Sequence, residues 1–108
     1  MTARDLDAAA IRAWAEVVDD HNPLHVDPEF AATTPFRGPI VHGSLLFALV
    51  CDAFQEAGGQ GGTVTVKFRA PVPVGSTITV AADETGVRMR YGDTEPVEVS
   101  TSEGEHSV

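Results

Sequence analysis

Between Val17 and Phe30 the chain reads VVDDHNPLHVDPEF, which sets Asp19, Asp20, His21, His25 and Asp27 around an Asn22-Pro23 pair. Three kinds of chemistry suit such a cluster: a solvated loop, a cation site, or an acid–base pair. For a cation, His21 and His25 are four residues apart, a spacing that serves two ligands on one helical face. Pro23 lies between them and interrupts that face, and no compact ligand pattern surrounds them, so no metal is expected. The solvated-loop reading accounts for Asp27, whose Asp-Pro step reads as a helix cap, and for His21 as an exposed side chain. It accounts less well for Asp20 and His25, which flank a rigid Asn-Pro spacer. An Asp and a His held a few ångströms apart can bind one water, share its protons and deliver both of its elements to one face of a double bond.

Such a reaction needs a group to stabilise the developing negative charge. The segment IVHGSLL supplies a candidate at Gly43, which opens an apolar helical stretch. An N–H at that position has no partner within the helix and lies at the positive end of its dipole. Glycine also lets a substrate carbonyl come close. A thioester oxygen held there becomes more enolate-like, which acidifies the α-carbon and activates the β-carbon.

The elements that would position these residues follow from the hydrophobic period. At 108 residues, 43% of them hydrophobic, the chain has the length and composition of one globular domain. The formal net charge of −9 argues against nucleic acid or an anionic membrane as partner. A single cysteine, Cys51, excludes an internal disulfide and reads as core. The acidic N-terminus does not read as a secretory signal, and no apolar run is long enough to span a bilayer; a cytoplasmic location is expected.

Thr2 and Asp5 have capping-box spacing and predict a first helix from the start of the chain, with Leu6, Ala10, Ala13, Trp14 and Val17 as its apolar face. Asp19 and Asp20 close it, an unfavourable place for carboxylates. A short helix is expected from Pro28 to Ala32. A long one runs from Gly43 to a stop at Gly58 or Gly59, apolar nearly all round and hence buried. The pattern then alternates. Val64, Val66 and Phe68 face one way, with Lys67 and Arg69 opposite. Ile78, Val80 and Ala82, then Val87, Met89 and Tyr91, then Val97 and Val99 make three further strands. The domain is expected to fill residues 1–102, with 103–108 a polar tail in which His106 is inert. The class is α+β: an antiparallel sheet against one long helix.

The stretch DHNPLH, Asp20 to His25, resembles the D-x-N-P-[LIV]-H signature of the MaoC-like dehydratases, the (R)-specific enoyl-CoA hydratases. Trp14-Ala15 stands where that family has an aromatic followed by alanine. HVDPEFAATTPFRGPIVHG resembles its continuation into the central helix, and VKFRAPVPVGSTITV its first long strand and turn. The resemblance implies a hotdog fold, a curved antiparallel sheet wrapped around a long buried helix, here expected without its N-terminal strand. It implies Asp20 and His25 as the catalytic pair, Gly43 as oxyanion donor and Asn22 as the residue that orients the loop. His42 is expected to be a buried loop histidine satisfying backbone groups rather than a third catalytic one. Ser44 replaces a common methionine and reads as a hydroxyl at the helix start; Asp19 replaces a small residue, often glycine.

The implied reaction is reversible hydration of a trans-2-enoyl thioester, carried by coenzyme A or an acyl carrier protein, with no cofactor. Arg37, Lys67 and Arg69 are the bases available to meet a carrier phosphate, alongside Asn22, His42 and Ser44 as substrate contacts. The alternatives are thioester hydrolysis or another reaction on a carrier-bound biosynthetic intermediate, both on the same fold, and a non-catalytic partner subunit. Because four short strands cannot cover the long helix, a homodimer is expected, with a heterodimer as the alternative.

Overall fold

The computed structural model describes residues 2–59, 62–83 and 86–102. The expected 103–108 tail, His106 included, lies outside these residues. Nine elements follow in chain order: β1 (Thr2–Leu6), α1 (Ala8–Val18), α2 (Pro23–Val26), α3 (Pro28–Ala32), α4 (Gly43–Glu56), β2 (Thr63–Phe68), β3 (Ser76–Asp83), β4 (Gly86–Arg90) and β5 (Val97–Ser102).

The first element corrects the expectation of a helix from residue 1 and of an absent N-terminal strand. Thr2–Leu6 is a strand, paired antiparallel with β3 from Thr2 opposite Val80 to Leu6 opposite Ser76. Leu6 is buried at its end, and Thr77 Oγ1 donates to Asp5 Oδ1 at 2.6 Å. Thr2 and Asp5 therefore cap nothing. The cap of α1 is Asp7, whose carboxylate accepts from the Ala10 N–H at 2.8 Å. A ladder offered by residues seventy or more positions away outweighed a local helical pattern.

The buried side of α1 is carried by Ile11 and Ala15, not by the Ala10–Ala13–Trp14–Val17 stripe the sequence suggests. That stripe lines an open groove of about 590 Å³ together with Leu6 of β1 and Leu45 and Leu49 of α4. Val17 is 74% exposed there.

The strands form β1-β3-β4 and β2-β5 ladders, all antiparallel, with β4 and β5 side by side. The central helix α4 packs on β2, β3 and β4. Leu46 and Val50 of α4 join Ile78, Val80, Val87, Met89 and Val97 in the core. Within one chain, however, α4 is not buried all round: Leu45, Leu49, Ala53 and Phe54 are half-buried and Phe47 is 41% exposed. The predicted stop is present. Ala57 caps the helix and Gly58 follows at φ +90°.

Candidate active site

The loop from Asp19 to His25 is built almost entirely from local hydrogen bonds. Asp19 ends α1 in the left-handed conformation, φ 52° and ψ 48°. Glycine suits that geometry best, and Asp is one of the few other residues that adopt it readily. The turn sends the Asp19 side chain outward, 98% exposed, 3.9 Å from His21 Nε2. It also folds Asp20 back, so that its N–H donates to the Ala15 carbonyl at 3.0 Å. The Asp20 carboxylate accepts the Asn22 N–H at 3.3 Å. Asn22 Oδ1 in turn caps α2, taking the Leu24 N–H at 3.0 Å, with Pro23 at the first helical position. Pro23 thus starts a short helix as well as ending the earlier pattern, and His25 sits one turn along it.

A second segment meets this loop. Ile40 N–H donates to Leu24 O at 3.2 Å, and His25 Nδ1 lies 2.7 Å from the Ile40 carbonyl. That oxygen only accepts, so Nδ1 carries a hydrogen, and in the neutral ring Nε2 presents the lone pair. His42 is buried, 1% exposed, with Nε2 2.9 Å from the Asp20 backbone oxygen. Its ring stacks on His25 with 3.9 Å between centroids and 24° between planes. A carboxylate oxygen of Asp20 and one ring nitrogen each from His25 and His42 all lie within 4.8 Å of one another. A water bridging two groups through hydrogen bonds of about 2.8 Å spans roughly 4.5 Å, so a spacing within 4.8 Å between the Asp20 carboxylate and the His25 ring is of the size that one water bridges. As cation ligands the two imidazoles are poorly disposed, because stacked rings send their lone pairs side by side rather than toward one point.

Gly43 follows His42 directly and opens α4. The helix's own ladder begins with Leu45 and Leu46 donating to the His42 carbonyl at 3.1 and 3.3 Å, so the Gly43 N–H lies ahead of it. His42 stands at the N-cap position with no side-chain cap bond. A side chain on residue 43 would meet the Phe68 ring, with a Cβ only 3.3 Å from Cζ. Ser44 Oγ accepts from Trp14 Nε1 at 2.9 Å, tying the start of α4 to α1.

The fold therefore gathers Asp20, Asn22, His25, His42 and Gly43. Arg37, Lys67 and Arg69 are exposed and, among the described hydrogen bonds and ion pairs, none meets that group. Arg37 is in the loop after α3 at φ 61°. Arg69 Nε donates to Glu98 Oε2 at 2.9 Å. This bond, then the guanidinium charge, holds the Glu98 carboxyl below its usual range, with Lys67 adding to the effect. What sequence reasoning missed is the His25–His42 stack. Its only advance signal was two histidines next to two candidate catalytic groups.

A family model described as MaoC like domain matches residues 2–107. The chain belongs to the MaoC-like domain family. Among MaoC-like proteins it is 42% identical over 85 residues to the (R)-specific enoyl-CoA hydratase of Aeromonas caviae, covering 75% of this chain and 63% of that protein. It is 33% identical over 100 residues to the 3-hydroxyacyl-thioester dehydratase Z of Mycobacterium tuberculosis, covering 85% and 66%. The chain thus spans slightly under two thirds of each of these relatives. The solved (R)-hydratase from A. caviae, described as involved in PHA biosynthesis, superposes with a TM-score of 0.76 at 34% identity, covering 93% of this chain and 88% of that one. The α+β arrangement of one long helix against antiparallel strands is accordingly the hotdog fold of this MaoC-like chain.

Proposed function

We propose that this MaoC-like chain hydrates trans-2-enoyl thioesters, and dehydrates the corresponding 3-hydroxyacyl thioesters, by syn addition and elimination of water. The observation that carries the reading is the spacing, within 4.8 Å, between the Asp20 carboxylate and the His25 imidazole, next to the open N-terminus of α4. The reading is also supported by the names of the Aeromonas and Mycobacterium relatives, a hydratase and a dehydratase.

In the hydration direction, the thioester oxygen accepts from the Gly43 N–H, where negative charge is favoured. The water between Asp20 and His25 loses a proton to the pair as its oxygen bonds to Cβ; the Cα–Cβ π electrons move onto the thioester as an enolate. The pair then returns a proton to Cα from the same face, which regenerates the starting protonation and leaves the 3-hydroxyacyl thioester. Every atom added comes from water, and no cofactor takes part. With Nδ1 committed to Ile40, His25 works through Nε2.

The substrate carrier is coenzyme A or an acyl carrier protein. We assign the working form as a homodimer, with a heterodimer as alternative, because the outer side of α4 and the groove beside it leave Phe47, Leu45, Leu49, Trp14 and Val17 wholly or partly uncovered. A cytoplasmic location fits this reading; no helix of the described residues is long and apolar enough to cross a membrane.

Crotonyl-CoA is the test substrate. Loss of the enoyl absorbance without release of free thiol is the expected result. Thiol release would replace the reading with thioesterase chemistry, and no reaction with crotonyl-CoA or longer enoyl thioesters would leave the non-catalytic subunit.

A further inference from the structure

The buried imidazole of His42 has no part in the proton transfers above, yet it touches both residues that carry them, the backbone of Asp20 and the ring of His25. Its Nε2 faces the Asp20 carbonyl at 2.9 Å, and since that oxygen only accepts, Nε2 carries the hydrogen. The other ring nitrogen, Nδ1, is buried with no hydrogen-bond partner among the described residues. A polar atom in that state weakens a fold, so packing alone would favour an apolar ring here. What the imidazole provides and a phenyl ring lacks is one donor, aimed at residue 20.

We propose that His42 is a positioning residue: its Nε2–H anchors the backbone of Asp20 while its ring face carries the His25 imidazole, so that one buried side chain sets the gap the water must fit. The proposal rests on the hydration reading of the Asp20–His25 pair. Two backbone hydrogen bonds hold residue 20, one from its N–H to Ala15 and one to its carbonyl from His42. Among the described residues the carboxylate accepts one bond, from the Asn22 N–H at 3.3 Å, so its direction follows the backbone. His42 also precedes Gly43, and its carbonyl receives the first two bonds of α4. The carboxylate, the imidazole and the oxyanion donor are thereby placed relative to one residue. Displacing one reacting group by about an ångström is enough to lose a large factor in rate.

Two substitutions separate this role from simple packing. His42→Phe keeps a ring to stack and removes the donor; His42→Gln restores a donor at the reach of Nε2 and removes the ring. On enoyl thioester hydration, His42→Phe should lower kcat about tenfold or more with KM little changed, while its melting temperature stays level or rises. His42→Gln should recover part of the lost kcat, the share that the donor to Asp20 carries, and not the share of the ring under His25. A His42→Phe enzyme with wild-type kcat overturns the proposal, as does a kcat that falls only together with the melting temperature and is not recovered by Gln. Should the wild-type chain prove inert toward enoyl thioesters, the hydration reading fails by itself, and ¹⁵N-histidine NMR decides the positioning claim. An Nε2–H tautomer of His42 with a slowly exchanging proton supports it; an Nδ1–H tautomer or fast exchange sinks it.

Discussion

The first and last helices of this chain begin in opposite ways. At α1 the carboxylate of Asp7 reaches over and takes the Ala10 N–H at 2.8 Å. Asn22 does the same for α2 and Asp27 for α3. At α4 the N-cap residue is His42, whose side chain turns away to the Asp20 carbonyl and leaves the helix uncapped. A cap satisfies donors that folding would otherwise strand. The start of α4 therefore keeps donors that no side chain of its N-cap residue takes, beside the Asp20–His25 pair. Three helix starts are finished for stability and one is left unfinished at the site.

Removing the chemical groups beside the open start should have the largest effect. Asp20→Asn and His25→Ala are each expected to lower kcat for enoyl thioester hydration by about a hundredfold or more with the fold intact by circular dichroism. Near wild-type rates in either would break the acid–base assignment. His21→Ala, half-exposed and outside the gap, should stay close to wild type.

Next comes the open start itself. Gly43→Pro deletes the N–H that the comparison singles out, while adding ring atoms that meet Phe68. Proline is favoured at the first helical position, and His42 at φ −59° and ψ 134° already has the extended geometry that a following proline requires. The variant should fold, with the Phe68 ring shifting slightly, yet lose about a hundredfold in kcat. Gly43→Ala, which keeps the N–H and makes the same contact with Phe68, should lose less. Equal losses would assign the effect to crowding and not to the donor.

The capped start should respond in the opposite sense. Asp7→Ala is expected to cost about 1 kcal/mol of stability, read by denaturant unfolding, with kcat unchanged. A loss of activity at unchanged stability would blur the contrast between the two helix ends.

The smallest effect belongs to the exposed Arg69–Glu98 pair. The Glu98 pKa is lowered in the folded state, so its contribution is present above the unfolded carboxylate value of about 4.3 and fades as pH falls through the folded one. Because the pair is exposed, the gain is screened by solvent. Glu98→Gln should therefore barely move the melting temperature at pH 7 and remove a slight part of its decline in acid. A marked drop at neutral pH would mean that this pair holds β2 to β5 more firmly than exposed charges usually do.

How much of this was legible beforehand differs by region. The DHNPLH spacing, the long helix from Gly43 and the alternating strands could be read directly, since each depends on residues only a few positions apart. The Asp19 position was legible only as an oddity; the left-handed φ explains why a glycine would suit it. The start of the chain was misread, because TARDL carries no alternation strong enough to outweigh a helical pattern nearby.

Two segments, 19–25 and 40–43, each carry half of the candidate site. Local chemistry in the sequence determined the shape of the first: a left-handed Asp, an Asn cap and a Pro at a helix start need no distant partner. Tertiary structure alone decided that β1 is a strand, since its hydrogen bonds come from β3. It alone placed His42 under His25 and against Asp20, 22 residues away in the chain. A ladder partner or a buried stacking surface exists only after the chain has closed on itself, so no spacing within either segment encodes it.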